Sequence, residues 1–193
     1  MLKIGITGGI GSGKSVVSKI IESLGYPVFN SDIEAKRIAN FNVDVRAELI
    51  ALCGEEVYSN GQLNREVLAN QIFSDDSIRD RVNEIIHPRV REAYEALCRE
   101  SNSPLVFNEA AILIETGASK KFDKMILVTA PESLRIERVI NRDQTSLIEV
   151  KSRIDKQWTD DKKKEHSDFV IQNDGEQPLL SQVEECINQL ISS

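Results

Sequence analysis

Cysteine and histidine are scarce in this chain, and basic residues are outnumbered. Cys53, Cys98 and Cys186 are odd in number and far apart, so they suggest neither a disulfide framework nor a zinc site, and reduced thiols in cytosol suit them best. His87 and His166 are the only histidines, too few for a histidine-based zinc centre. Against 31 acidic residues stand 24 basic ones, a formal charge of −7. That balance argues against a general nucleic-acid binder, and an anionic substrate would need a local basic site. No apolar stretch approaches 18 residues, and Met1 runs straight into the strand-like Leu2–Thr7 without the regions of an export signal. The expectation is a soluble, cytoplasmic protein with no membrane partner.

What is present is an alternation of short apolar runs with longer amphipathic segments, the pattern of an α/β fold with a parallel sheet. The 193 residues suit one domain with a large core, and no sequence repeat divides them. Runs at Leu2–Thr7, Pro27–Phe29, Leu105–Phe107, Met125–Thr129 and Phe169–Ile171 are bounded by Gly, Pro, Asn or Asp, and they predict five strands. Between the second and third the pattern is mostly helical and too long for an ordinary crossover, so residues 33–103 read as a helical insertion. Within it, Asn64 is placed to cap a helix, Asn60-Gly61 signals a turn, and Pro88 is expected to separate two helical patterns at His87. Pro131 opens a polar helical stretch, and residues 135–168 are charged with little to form a core: either a solvated helical pair or a mobile cover over a site. In the tail, Leu179, Leu180, Val183, Ile187, Leu190 and Ile191 recur at helical spacing and should pack on the sheet.

Gly8-Gly9-Ile10-Gly11-Ser12-Gly13-Lys14-Ser15 fits G-x-x-x-x-G-K-[ST], and it lies directly after a predicted strand and before a predicted helix, as the phosphate-binding loop requires. Glycines let backbone N–H groups converge on phosphate oxygens, and the helix start adds its positive dipole end. Lys14 should reach the β- and γ-phosphates, and the Ser15 hydroxyl suits Mg²⁺. Asp32 follows the second strand, at the sheet edge where α/β proteins place ligands, so it could orient or deprotonate an attacking hydroxyl. Equally, Ser31 or Asp32 could simply cap a helix starting near Ile33. Glu109, at the end of the third strand, could serve a metal or substrate or could be a solvated strand end. Arg138 and Arg142 share a helix face with Arg135 close by, suited to phosphate, or else to surface pairs with Glu132, Glu137 or Asp143.

The run Ile4-Gly5-Ile6-Thr7 together with that loop closely resembles the opening of bacterial dephospho-coenzyme A kinases. The likeness continues through Asn30-Ser31-Asp32, Gly61-Gln62-Leu63-Asn64-Arg65, His87-Pro88, Glu115-Thr116-Gly117, Arg142-Asp143 and Ser167 to Gly175. It implies a P-loop kinase fold, with a parallel five-stranded sheet flanked by helices, a helical insertion for the pantetheine-bearing substrate and an arginine-bearing lid over 135–168. It also implies transfer of the ATP γ-phosphoryl group to the ribose 3′-hydroxyl of dephospho-coenzyme A, with Mg²⁺. By resemblance ATP would be bound by Gly9, Ile10, Gly11, Ser12, Gly13, Lys14, Ser15 and Val16, with Asn173-Asp174-Gly175 beside the adenine. Asp32 becomes the favoured base and Arg142 the lid arginine, with Asp32, His87, Glu109 and Arg138 toward the acceptor. Three positions depart from the family pattern: Val16 replaces a frequent threonine, Asn30 replaces the first aspartate of an Asp-x-Asp pair, and Ala111 stands where Pro-Leu-Leu usually begins. A kinase of the same fold with another acceptor would share the loop and lid, but the insertion motifs argue against it. A GTP-dependent switch would need Asn-Lys-x-Asp and Asp-x-x-Gly, and neither occurs.

Overall fold

Strand β1 (Leu2–Thr7) buries Ile4 and Ile6 on one face, as the two-residue period of a strand dictates. Its carboxyl end feeds the glycine loop, helix α1 (Lys14–Ser23) and strand β2 (Val28–Asn30). The structure, a computed structural model, describes residues 1–192. The chain forms two units, one made of Met1–Asn30 with everything from Ser101 onward, the other Ser31–Glu100.

The Ser31–Glu100 unit is helical. It contains α2 (Ser31–Phe41), α3 (Val43–Cys53), a minimal hairpin of β3 (Tyr58–Ser59) and β4 (Gln62–Leu63), then α4 (Arg65–Ser74) and α5 (Asp76–Glu100). Asn60 and Gly61 form the hairpin turn with φ of +51° and +77°, the pair of positive angles that an Asn-Gly turn supplies. Asn64 caps α4 by accepting from the Val67 N–H at 3.3 Å, as the sequence predicts. Pro88 does not separate two helices: α5 runs through it. An interior proline forfeits a backbone hydrogen bond and costs roughly 3 kcal/mol. That cost is offset by a buried stripe of Val82, Ile85, Val90, Tyr94 and Cys98, each core side chain contributing roughly 1.5–3 kcal/mol.

The other unit completes the sheet with β5 (Leu105–Glu109), β6 (Lys124–Thr129) and β7 (Phe169–Gln172). Its strand order is β2-β5-β1-β6-β7, and every neighbouring pair is parallel. Between β6 and β7 come α6 (Glu132–Asp143), α7 (Leu147–Asp155) and α8 (Asp160–Lys164), and α9 (Leu179–Ser192) follows β7. One sheet face packs Ile4, Ile6, Phe107, Ile126 and Val128 against Val17 and Ile21 of α1 and Val183, Ile187 and Leu190 of α9. Leu180 and Ile191, expected in that core, are exposed, because at helical spacing they lie beyond the stripe centred on Val183 and Leu190. Residues 135–168 are also less solvated than their charge suggests, for Val139, Val150, Arg135 and Lys163 are all buried. Among the described residues, no helix is long and apolar enough to cross a membrane.

Candidate active site

The loop from Gly8 to Gly13 bridges β1 and α1 at the carboxyl edge of the sheet. Gly11 and Gly13 hold φ of +79° and +93°, and a β-carbon there would meet the Arg135 backbone or the Asn173 amide. Conformation and close approach both demand glycine.

Three consecutive loop carbonyls are held from one side. Arg135 Nε donates to the Ile10 carbonyl at 2.9 Å, Arg138 Nη1 to the Gly11 carbonyl at 3.5 Å, and Asn173 Nδ2 to the Ser12 carbonyl at 2.9 Å. In a trans peptide the N–H points opposite to the C=O, so the N–H groups of Gly11, Ser12 and Gly13 turn the other way. The Ser12 N–H closes a turn onto the Gly9 carbonyl at 3.1 Å, and the Gly11 and Gly13 amides remain directed away from α6. Gly13 is the N-cap of α1 and brings no side chain to that helix end, so backbone amides and the helix dipole converge as in an anion cradle.

Lys14 lies across this cradle, its Nζ donating to the Gly8 carbonyl at 2.9 Å and the Gly9 carbonyl at 3.4 Å. These are neutral acceptors, and phosphate oxygens would outbid them for an ammonium. Ser15 and Val16 follow on the exposed first turn of α1. Glu109 is buried at the end of β5, opposite Asn30 of β2 and Ile6 of β1, and accepts from Asn30 Nδ2 at 2.9 Å. It is therefore no solvated strand end. Among the described residues no cluster of three or more His, Cys, Asp or Glu could hold a metal. The Ser15 hydroxyl and the buried Glu109 carboxylate are oxygen donors of the kind that a hard cation such as Mg²⁺ takes.

The arginines divide by reach. Arg135, with its side chain 8% exposed, and Arg138 are on the loop, and Arg138 Nη2 also donates to Asn173 Oδ1 at 3.3 Å. Arg142 lies on the same face as Arg135, two turns and about 10.5 Å further along the axis. Its side chain is 63% exposed and forks onto Asp143 at 2.7 and 3.0 Å. The Arg142 guanidinium, by hydrogen bond before charge, holds the Asp143 carboxyl below its ordinary range, and Arg153 adds a contact at 3.2 Å. Asn173, which the resemblance puts beside adenine, commits its side-chain amide to Ser12 and Arg138, and Gly175 is exposed beyond it.

Asp32 and His87 belong to the helical unit. The helix that begins after β2 starts at Ser31, earlier than read from sequence, and Asp32 is an exposed residue of its first turn. His87 sits mid-helix in α5, and partial burial, then the Arg91 charge, lowers its pKa from the ordinary imidazole value.

Sequence reasoning missed the support beneath this site. Lys163 is fully buried and meets Glu115, 12% exposed, at 2.8 Å. Asp160 faces Arg135 at 3.5 Å. A lysine within Asp-Asp-Lys-Lys-Lys carries no local sign of burial. The Lys163–Glu115 contact is not aligned as a hydrogen bond, and neither charge has another side-chain partner among the described residues. Removing one partner strands the other in the interior, which costs about 3–5 kcal/mol, whereas replacing both with apolar groups can be neutral. Lys163→Met is therefore expected to lower the denaturation midpoint sharply, and adding Glu115→Leu to restore most of the loss. A single variant as stable as the parent would contradict the buried-pair account.

The sequence model of the dephospho-CoA kinase family matches residues 2–178. A dephospho-CoA kinase from Bacteroides fragilis is 45% identical over 187 residues, covering 96% of this chain and 91% of its own. Among solved structures, TT1252 from Thermus thermophilus is 32% identical with a TM-score of 0.86, covering 99% of this chain and 96% of its own. The dephospho-CoA kinase from Campylobacter jejuni is 25% identical with a TM-score of 0.66, covering 97% and 94%.

Proposed function

The chain belongs to the dephospho-CoA kinase family, and we propose how its own residues carry the transfer of the ATP γ-phosphoryl group to the ribose 3′-hydroxyl of dephospho-CoA, the final step of coenzyme A biosynthesis. The single observation that supports these residue roles most is the fastening of the Ile10, Gly11 and Ser12 carbonyls by Arg135, Arg138 and Asn173. A loop held in that way meets phosphate with its amides already oriented, so little reorganisation remains when charge develops.

In this reading Gly9 through Val16 hold the ATP phosphates, and Lys14 leaves the Gly8 and Gly9 carbonyls for the γ-phosphate. Asp32 accepts the proton of the 3′-hydroxyl as its oxygen attacks the γ-phosphorus. The bond to the β–γ bridging oxygen breaks, and ADP leaves. Ser15 would hold Mg²⁺, with Glu109 serving the ion or the acceptor, and the ion would supply charge neutralisation for the β- and γ-phosphates. His87 and the insertion 33–103 receive the acceptor, Asn173 and Gly175 border the adenine side, and 135–168 acts as the lid. The setting is cytoplasmic, without a nucleic-acid partner.

Arg142 closes on the transferred phosphate by exchanging Asp143 for it, an exposed pair being worth at most about 1 kcal/mol. Arg142→Lys keeps the charge and loses the planar fork, so kcat/KM should fall at least about tenfold while the melting temperature stays put. Equal steady-state rates for arginine and lysine would confine Arg142 to its surface pair.

A further inference from the structure

Gln157 lies between α7 and α8, and its Oε1 accepts the Ile10 N–H at 2.8 Å across 147 residues of sequence. Because the partner is a backbone donor, the amide orientation is fixed: only the oxygen can face it. That N–H belongs to the Gly9–Ile10 peptide, whose other polar group is the Gly9 carbonyl. This carbonyl accepts from Lys14 Nζ at 3.4 Å and from the Ser12 N–H at 3.1 Å. A peptide unit is rigid, so whatever sets the Ile10 N–H also sets the oxygen against which Lys14 rests. The next peptide is fixed by Arg135 Nε on the Ile10 carbonyl at 2.9 Å. Gln157 is braced in turn, since Asp160 follows it and faces Arg135 at 3.5 Å, and Lys163, one turn later, is buried against Glu115.

We infer that Gln157 is a positioning residue for phosphoryl transfer: through the Gly9–Ile10 peptide it fixes the crown of the P-loop and the seat of Lys14. With Arg135 it ties the lid segment to the loop at two points, so the stretch between residues 135 and 157 is tethered at each end. The inference rests on the P-loop being the ATP site. Without the acceptor, the Ile10 N–H loses its partner and the peptide is free to turn, at the cost of an unsatisfied donor.

The test compares Gln157→Met, which keeps length and loses the acceptor, with Gln157→Glu, which keeps an acceptor oxygen. Amide hydrogen exchange at Ile10 is followed in the nucleotide-free protein, together with the KM for ATP, kcat and the melting temperature. Gln157→Met is expected to speed Ile10 exchange and raise the ATP KM, each about tenfold, with melting nearly unchanged, and Gln157→Glu to retain Ile10 protection. Protection retained in Gln157→Met, or lost equally in Gln157→Glu, would overturn the contact. Faster exchange with unchanged KM and kcat, or a lower melting temperature with unchanged kinetics, would overturn the positioning role. Were the P-loop not the ATP site, Lys14→Ala would leave ATP kinetics intact while Ile10 exchange in Gln157→Met still rose, which separates the two failures.

Discussion

Lys14→Ala should reduce turnover by at least about a hundredfold in a protein that still folds. Deleting one well-placed donor to developing negative charge costs about 3 kcal/mol, or 10²–10³ in kcat, and Lys14 brings a full charge. Structurally the loss is small. The ammonium is half-buried and its contacts at 2.9 and 3.4 Å go to carbonyls of its own loop, while the loop is fastened independently by Arg135, Arg138 and Asn173. Single-turnover kinetics beside thermal melting separate the effects. Near-parental turnover in a folded Lys14→Ala protein would remove the P-loop from the chemistry.

Asp32→Asn is expected to melt near the parent, bind ATP normally and lose about 10²–10⁴ in turnover, the range of general-base assistance. Asp32 is exposed in the first turn of α2, where a carboxylate favours the helix dipole by no more than about 1 kcal/mol, and asparagine keeps the oxygen a cap would need. Only the chemistry distinguishes the two side chains, because an amide cannot take the hydroxyl proton. Asn30 donates to Glu109 and offers no substitute base. Full activity per folded molecule, with lowered stability, would make Asp32 a cap and direct the search for the base to Glu109.

The parallel sheet and the glycine loop were legible because their signals are local. β-Branched runs between turn residues mark strands, and G-x-x-x-x-G-K-S between a strand and a helix leaves few alternatives. Pro88 misled because a local rule was outweighed by burial of Val82, Ile85, Val90, Tyr94 and Cys98 along one helix, a sum that no short window contains. The contacts that fasten the loop were illegible for a related reason. Arg135, seven before Arg142 and three before Arg138, shares the face already picked out for phosphate, but its bond to the Ile10 carbonyl was not readable from that spacing. Gln157 and Lys163 lie in a charged stretch and act on residues 147 and 48 positions away, and their contacts depend on tertiary packing alone. Asn173 was singled out for adenine, yet its amide holds Ser12 and Arg138. Its place after β7 was readable, but its partners were not.

The most direct measurement offers ATP and Mg²⁺ with dephospho-CoA, adenosine, AMP or pantetheine as acceptor, and locates the new phosphate on the product. Dephospho-CoA should be turned over with the highest kcat/KM, carry the phosphate on its ribose 3′-oxygen, and lose reactivity in Lys14→Ala and Asp32→Asn. Preferred transfer to another acceptor, or to another position of dephospho-CoA, would contradict the account.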